Sequence, residues 1–292
     1  MSPPSKITSL PTSTDIRAVE ARLLETAGIA VEQHDTVVGG VRLHYLTCGE
    51  GEPLLLIHGR GGAGALFAPV LASLGAKRRV ITLDLPGWGL SDKPPFTGKT
   101  AEDALAVWRE GVLGFLDDQG LGQIDIAGHS MGGFTALSLA LEHPARVKRL
   151  ILIDPGGLGT GLQLDVRLYF TVAPERVHRW LGPSFTRYVM RRDGAPQEAL
   201  DGPEFAFYHA LTTQGEIVPS GARAFTAWVN LTGVHLTLTE RLKELQMPTL
   251  LLWGDRDFVT PYADALVAAR YLEDGQLVTF NRCGHSPFRE RP

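Results

Sequence analysis

Apolar residues recur along the chain in two rhythms. Short continuous runs occupy Pro53 to His58, Arg79 to Leu83, Ile124 to His129 and Val147 to Asp154, and again Pro248 to Trp253 and Gln276 to Phe280. Runs of this length suit parallel strands covered on both faces. Helix-length stretches separate them, such as Tyr262 to Tyr271 between the last two. The alternation predicts an α/β fold, a mostly parallel sheet flanked by helices. Ahead of it, Thr36 to Val38 and Val41 to Thr47 flank Gly39-Gly40, the signature of a tight antiparallel hairpin. Earlier still, Ile16, Val19, Leu23 and Ala27 recur at helical spacing, with Ser13 and Thr14 as candidate caps and Gly28 as terminator. The Pro/Ser/Thr-rich start is expected to be disordered. From about 159 to 239 the rhythm breaks into several helices rich in aromatic residues and arginine, with no convincing strand. The predicted organisation is therefore an extension over 1–30, a core over 31–158, an inserted helical cap over 159–239, and the rest of the core over 240–292.

Composition removes several classes of function. The 292 residues carry 28 basic and 32 acidic side chains, a formal charge of −4, so no global field draws the protein to nucleic acid. No apolar run approaches a membrane span, and the first 13 residues lack the stretch of a secretion signal. Membranes are not an expected partner. Cys48 and Cys283 lie far apart, outside any metal or disulfide pattern. A reducing, cytoplasmic setting is expected.

The chemistry starts at Gly128-His129-Ser130-Met131-Gly132, a GxSxG string between a predicted strand and a predicted helix. A serine on that sharp turn stands above the sheet at the positive end of the helix, where backbone amides stabilise developing negative charge. Its hydroxyl needs a base and the base needs an orienting carboxylate. With the order serine, acid, histidine, His285 is the one histidine after the acidic pair Asp255 and Asp257. Asp257 is preferred to Asp255, with Asp154 third. The glycine-rich stretch Gly59 to Gly64 also spells the dinucleotide string GxGxxG, with Asp84 twenty residues on. That reading leaves Ser130, Asp257 and His285 unexplained. The alternative is an oxyanion loop, in which the Arg60 and Met131 amides receive the tetrahedral oxyanion.

The segments HGRGG at His58, DLPGWGLSDKP at Asp84, GHSMGG at Gly128, GDRDFVTP at Gly254 and CGHSPFRERP at Cys283 resemble the α/β-hydrolase fold superfamily, with a helical cap after the sixth core strand. The resemblance covers residues 30 to 292. It implies Ser130 as nucleophile, Asp257 as acid, His285 as base, and the Arg60 and Met131 amides as oxyanion hole, with no metal or organic cofactor. Serine at the elbow departs from the aspartate of haloalkane dehalogenases and epoxide hydrolases. His129 departs from the asparagine common there in the carbon–carbon bond hydrolases of aromatic catabolism. The chain stops at Pro292, where members usually continue into another helix, so either truncation or a different cover for that face is expected.

Other candidates have plainer roles. His58 and His129 are expected to order loops, and Asp84, Ser91 and Asp92 to stabilise a turn. Arg167, Arg176, Arg179, Arg187, Arg191 and Arg192 read as a solvated helix face. About a third of Phe170, Trp180, Phe185, Tyr188, Phe205, Phe207, Phe225 and Trp228 are expected to face substrate. Cys283 is expected to be a small buried side chain. The expected function is a serine hydrolase of a small carboxylic ester or related acyl compound, working through an acyl-enzyme, with a His285 pKa near 6.5. The alternatives are carbon–carbon bond hydrolysis of a vinylogous diketone and a weakly catalytic ligand-binding receptor of the same fold. Oligomeric state is not expressed in the sequence.

Overall fold

A computed structural model describes residues 15–172, 174–214 and 220–292. The expected disorder of the first residues, and the capping role given to Ser13 and Thr14, lie outside the described residues. Helix α1 (Ile16–Leu24) is capped instead by Asp15, whose carboxylate accepts from the Arg17 amide. Strands β1 (Glu32–Val38) and β2 (Val41–Cys48) form the hairpin, with Gly39 and Gly40 both at positive φ. Then follow β3 (Pro53–Ile57), α2 (Ala68–Gly75), β4 (Arg79–Leu83), α3 (Ala101–Asp118), β5 (Ile124–His129), α4 (Met131–Glu142) and β6 (Val147–Ile153). Helix α3 begins at a reciprocal capping box between Thr100 and Asp103.

Five helices occupy the stretch before the next core strand: α5 (Leu164–Thr171), α6 (Pro174–Arg192), α7 (Gln197–Asp201), α8 (Pro203–Thr213) and α9 (Ser220–Trp228). Gly182, at φ 69° ahead of Pro183, breaks α6 into two arms. A two-residue hairpin, β7 (Val229–Asn230) with β8 (Gly233–Val234), lies where no strand was expected. It is too short to leave an alternating pattern in the sequence. The core closes with β9 (Thr249–Gly254), α10 (Tyr262–Ala268), β10 (Gly275–Phe280) and α11 (Pro287–Glu290).

The eight-stranded sheet runs β1-β2-β4-β3-β5-β6-β9-β10, parallel except at the antiparallel β1/β2 and β2/β4 pairs. Side chains alternate across each strand, so the apolar runs feed two cores. Leu55, Ile57, Ile81, Leu83 and Ile126 pack on one face with Trp108, Phe115 and Phe134. Leu54, Leu56, Val80 and Ala127 pack on the other with Phe67, Leu71 and residues of α1. This double coverage is why these strands read as continuous rather than alternating.

Helix α1 is fixed to the sheet by more than apolar contact. Glu20 is fully buried and its Oε2 lies 3.0 Å from Nε2 of His44, whose Nδ1 lies 3.1 Å from Asp35. Burial opposes charge on this ring, but Glu20, Asp84 and Asp35 outweigh it and raise its pKa, while burial also raises that of Glu20, so the two buried groups share a proton-dependent contact. Removing one partner of a buried pair strands the other. Glu20→Ala is therefore expected to cost roughly 3 kcal/mol, seen as a lower urea midpoint with an unchanged slope; an unmoved midpoint would mean that α1 is held by its apolar face alone.

Candidate active site

Ser130 sits between β5 and α4 at φ 53° and ψ −118°, a region L-residues rarely occupy. Backbone bonds hold it there: its amide donates to Ile153 O at 3.0 Å, and its carbonyl accepts from Phe134 and Gly156. The flanking glycines are required by proximity. A Cβ at Gly128 would lie 2.3 Å from Gly132 O, and one at Gly132 would lie 2.3 Å from Ile57 O. The loop after β3 crosses just above, since a Cβ on Gly59 would fall 3.0 Å from Ser130 Cβ. This approach brings the loop that carries Arg60 against Ser130 and the first turn of α4. Neither the Arg60 nor the Met131 amide has an intramolecular acceptor among the described residues.

His285 follows β10 and Asp257 follows β9. Nδ1 of His285 donates to Asp257 Oδ2 at 2.6 Å. The same carboxylate accepts from the Val259 amide at 2.7 Å, the Thr260 amide at 2.9 Å and the Thr260 hydroxyl at 2.5 Å. Asp255, the less favoured acid, instead accepts from the Arg282 and Cys283 amides and orders the turn that carries His285. Asp154, the third choice, lies in the same buried cluster, with its ligand atom within 4.8 Å of those of Asp257 and His285. Its Oδ1 accepts from the Gly254 amide, while burial and the Asp257 charge push its carboxyl well above the usual range.

Ser130 and His285 face one cavity of about 320 Å³. The hydroxyl makes no hydrogen bond to the ring in this structure, a separation common before substrate tightens a site. Burial disfavours the His285 imidazolium, but Asp257, with Asp193 and Asp154 beyond it, outweighs burial and raises its pKa to about 9. The expectation of a value near 6.5 is corrected accordingly: it counted one carboxylate, and the fold assembles three. His129, 4.8 Å from the His285 ring, goes the other way. Burial and the neighbouring imidazole hold it far below the ordinary range, so it is neutral and donates from Nε2 to the His285 carbonyl at 2.7 Å. His58 likewise orders the loop, donating to Gly59 O and accepting from the Leu85 amide.

Asp84, the residue that completed the dinucleotide string, spends both carboxylate oxygens on the Gly64 and Leu90 amides. Ser91 donates to the Asp84 carbonyl, and Asp92 accepts from the Arg42 amide, so all three stabilise the turn. Cys283 is buried and its thiol is pushed up to about 12, mainly by that burial, so it is no thiolate.

The wall opposite Ser130 comes from the inserted helices. Phe170, Phe185, Tyr188, Phe225 and Trp228 line it, more of the aromatic set than expected, whereas Phe205 and Phe207 are buried elsewhere and Trp180 is exposed. Three arginines also line the cavity, and each is paired. Arg60 meets Glu175 of α6 at 2.9 Å among the rings of Trp88, Phe170 and Phe225. Arg192 meets Asp165 at 2.5 Å. Arg289 meets Asp193 at 2.9 Å and also Glu204 of α8. Asp193 further accepts from the Ser286 hydroxyl, tying the end of α6 to the residue after His285. Sequence reading missed Glu175, Asp193, Glu204, Thr260 and Arg289. Thr260 and Arg289 had a signal, their places in GDRDFVTP and CGHSPFRERP; Glu175, Asp193 and Glu204 are joined to the site by folding alone.

A strained serine at a strand-to-helix turn, facing a carboxylate-bound histidine under a mostly parallel sheet's crossing loops, defines the class: an α/β-hydrolase fold. The family model described as alpha/beta hydrolase fold matches residues 52–292, and the chain belongs to that family. A 2-hydroxymuconate semialdehyde hydrolase of Pseudomonas putida is 32% identical over 259 residues, 86% of each chain. A 2-hydroxy-6-oxo-6-phenylhexa-2,4-dienoate hydrolase of Comamonas testosteroni is 28% identical over 253 residues, 83% of this chain and 84% of that one. Among solved structures, a membrane phospholipase A is 26% identical with a TM-score of 0.74, covering 95% of this chain and 86% of that chain. These relatives are hydrolases by name.

The elbow offers a direct check. A methyl group at Gly132 would overlap the Ile57 and His58 carbonyls. Gly132→Ala is expected to destabilise the fold by about 2–3 kcal/mol, measured by urea unfolding; a variant as stable as the parent would show that the elbow relaxes freely.

Proposed function

We propose that the protein is a serine hydrolase of neutral, apolar carboxylic esters, with Ser130, His285 and Asp257 as its triad. The observation that carries this reading is the pairing of every cavity-lining arginine with a carboxylate of the cap. An anionic substrate would find no uncompensated cation and would meet Asp165 and Asp193 on the same wall. A neutral acyl group buries against the aromatic rings at little electrostatic cost.

In this mechanism Ser130 Oγ attacks the ester carbonyl carbon while His285 Nε2 takes its proton. The imidazolium so formed is held by Asp257, and the oxyanion is received by the Arg60 and Met131 amides, which have no other acceptor among the described residues. Collapse of the adduct expels the alcohol, which takes the proton from His285. Water, deprotonated by the same ring, then frees the acid and restores Ser130.

The second reading, hydrolysis of a carbon–carbon bond in a dienoate, is favoured by the names of two relatives. The substrate carboxylate would then have to displace a cap carboxylate from Arg60, Arg192 or Arg289. A panel of short nitrophenyl esters against a ring-cleavage dienoate separates the two: faster dienoate turnover would replace the ester reading with the second. Ser130→Ala is expected to abolish fluorophosphonate labelling and to lower ester turnover by about 10⁴-fold or more, with folding unchanged; labelling that survives the substitution would move the nucleophile elsewhere.

The pH profile follows from the histidine. Only neutral His285 accepts a proton, and its pKa is raised, so kcat/KM is expected to climb with pH along a limb centred above 6.5 and approaching 9. The same sign applies to stability: the charged ring's contribution is complete below its unfolded pKa and fades as pH rises through about 9. Asp257→Asn should bring the limb down while cutting kcat about 10³–10⁴-fold. A wild-type limb at or below 6.5 would contradict the carboxylate cluster.

A further inference from the structure

The outer face of the cap carries large apolar side chains in water. Leu164 and Leu168 on α5 and Val172 at its C-cap follow an i, i+4, i+8 spacing and are exposed by 62%, 48% and 46%. Trp180 and Leu181, at the bend of α6, are exposed by 84% and 44%. The other four tryptophans, Trp88, Trp108, Trp228 and Trp253, are buried. Of the six arginines between Leu164 and Arg192, Arg187 pairs with Asp201 and Arg192 with Asp165. Arg176 and Arg191 are exposed, with no carboxylate partner among the described residues. Tyr188 of α6 both lines the cavity and is 55% exposed, so α6 reaches from the cavity to solvent.

We infer that this face of α5 and α6 docks on an anionic phospholipid bilayer, with Trp180 and the exposed α5 leucines entering the interface and the arginines meeting headgroups. Exposed leucines, a tryptophan and a rim of arginine are the composition that rests at such a boundary. A second copy of the chain is a poorer occupant, since a two-fold contact would set the same positive face against itself. Nucleic acid would satisfy the arginines but bury none of the leucines. The inference places α6, which reaches the cavity, at a lipid surface and so rests partly on the ester reading for its use. The binding itself is measured without turnover, so the two fail separately.

The test uses the full chain, with vesicles of phosphatidylcholine alone or with about a third phosphatidylglycerol, which supplies the negative surface potential. Co-sedimentation and a blue shift of Trp180 emission are expected with the anionic vesicles only, and should weaken as salt shortens the screening length. Arg176→Glu with Arg191→Glu should lower partitioning by roughly tenfold or more. Trp180→Ser should remove the emission shift. Thermal melting of each variant checks its fold. No partitioning, partitioning indifferent to lipid charge, or a blue shift that appears on concentration without lipid and follows a rise in mass would each overturn the proposal, the last in favour of self-association.

Discussion

The structure depends on one close approach of backbone, where β3, β5 and β6 end together under Ser130. Gly128 and Gly132 bring the first turn of α4 against β5, and Gly132 also lies against the carbonyls of Ile57 and His58. Any Cβ at these two positions would force the strands apart. Ser130 is thereby held at a backbone conformation costing about 1–3 kcal/mol, offset by three backbone bonds to Ile153, Phe134 and Gly156. The cavity geometry follows, because the elbow fixes the serine and the loop above it fixes the Arg60 amide. Asp154, itself at φ 41°, continues this crowding at the end of β6 and donates its amide to Leu252 O, which binds β6 to the end of β9. The turn bearing Asp257 starts from there.

Electrostatics then separates two imidazoles whose rings are only 4.8 Å apart. Both are buried, and burial alone would neutralise both. Asp257 binds one ring directly while a backbone carbonyl binds the other, and that difference decides which is charged. His129 cannot join it, because a second cation at that distance would face both desolvation and repulsion. The neutral ring serves as a spacer: it fixes the His285 carbonyl and packs edge-on against Phe288. The asparagine usual in one branch of the family would leave that aromatic contact unfilled.

The double-sided burial of the strands made the sheet legible, since it prints continuous apolar runs, and the elbow was legible because its glycines are imposed by sterics. Asp257, His285 and Ser130 belonged to local strings at strand ends. The ion pairs that join helices α5 to α8 to the rest of the fold had no such string. Asp193 and Arg289 lie 96 positions apart and Arg60 and Glu175 lie 115 apart, so no spacing rule joins them. The raised pKa of His285 was hidden for the same reason, since Asp154 and Asp193 reach it only through tertiary packing. The β7–β8 hairpin and the Asp15 cap were missed because single residues, rather than a periodic pattern, define them.

Charge is distributed differently on the two sides of the cap, and the net figure of −4 conceals this. Inside, Arg60, Arg192 and Arg289 are each matched by a carboxylate, and the Arg60–Glu175 pair is almost fully desolvated. A paired guanidinium there gains rigidity and loses its reach for a new anion, since exchanging partners would leave a buried carboxylate unpaired. Outside, Arg176 and Arg191 keep their charge in water beside unburied leucine and tryptophan. An uncompensated cation is cheap in solvent and expensive within a cavity. The same residue type is therefore matched by carboxylates around the cavity and left uncompensated at Arg176 and Arg191 among the described residues.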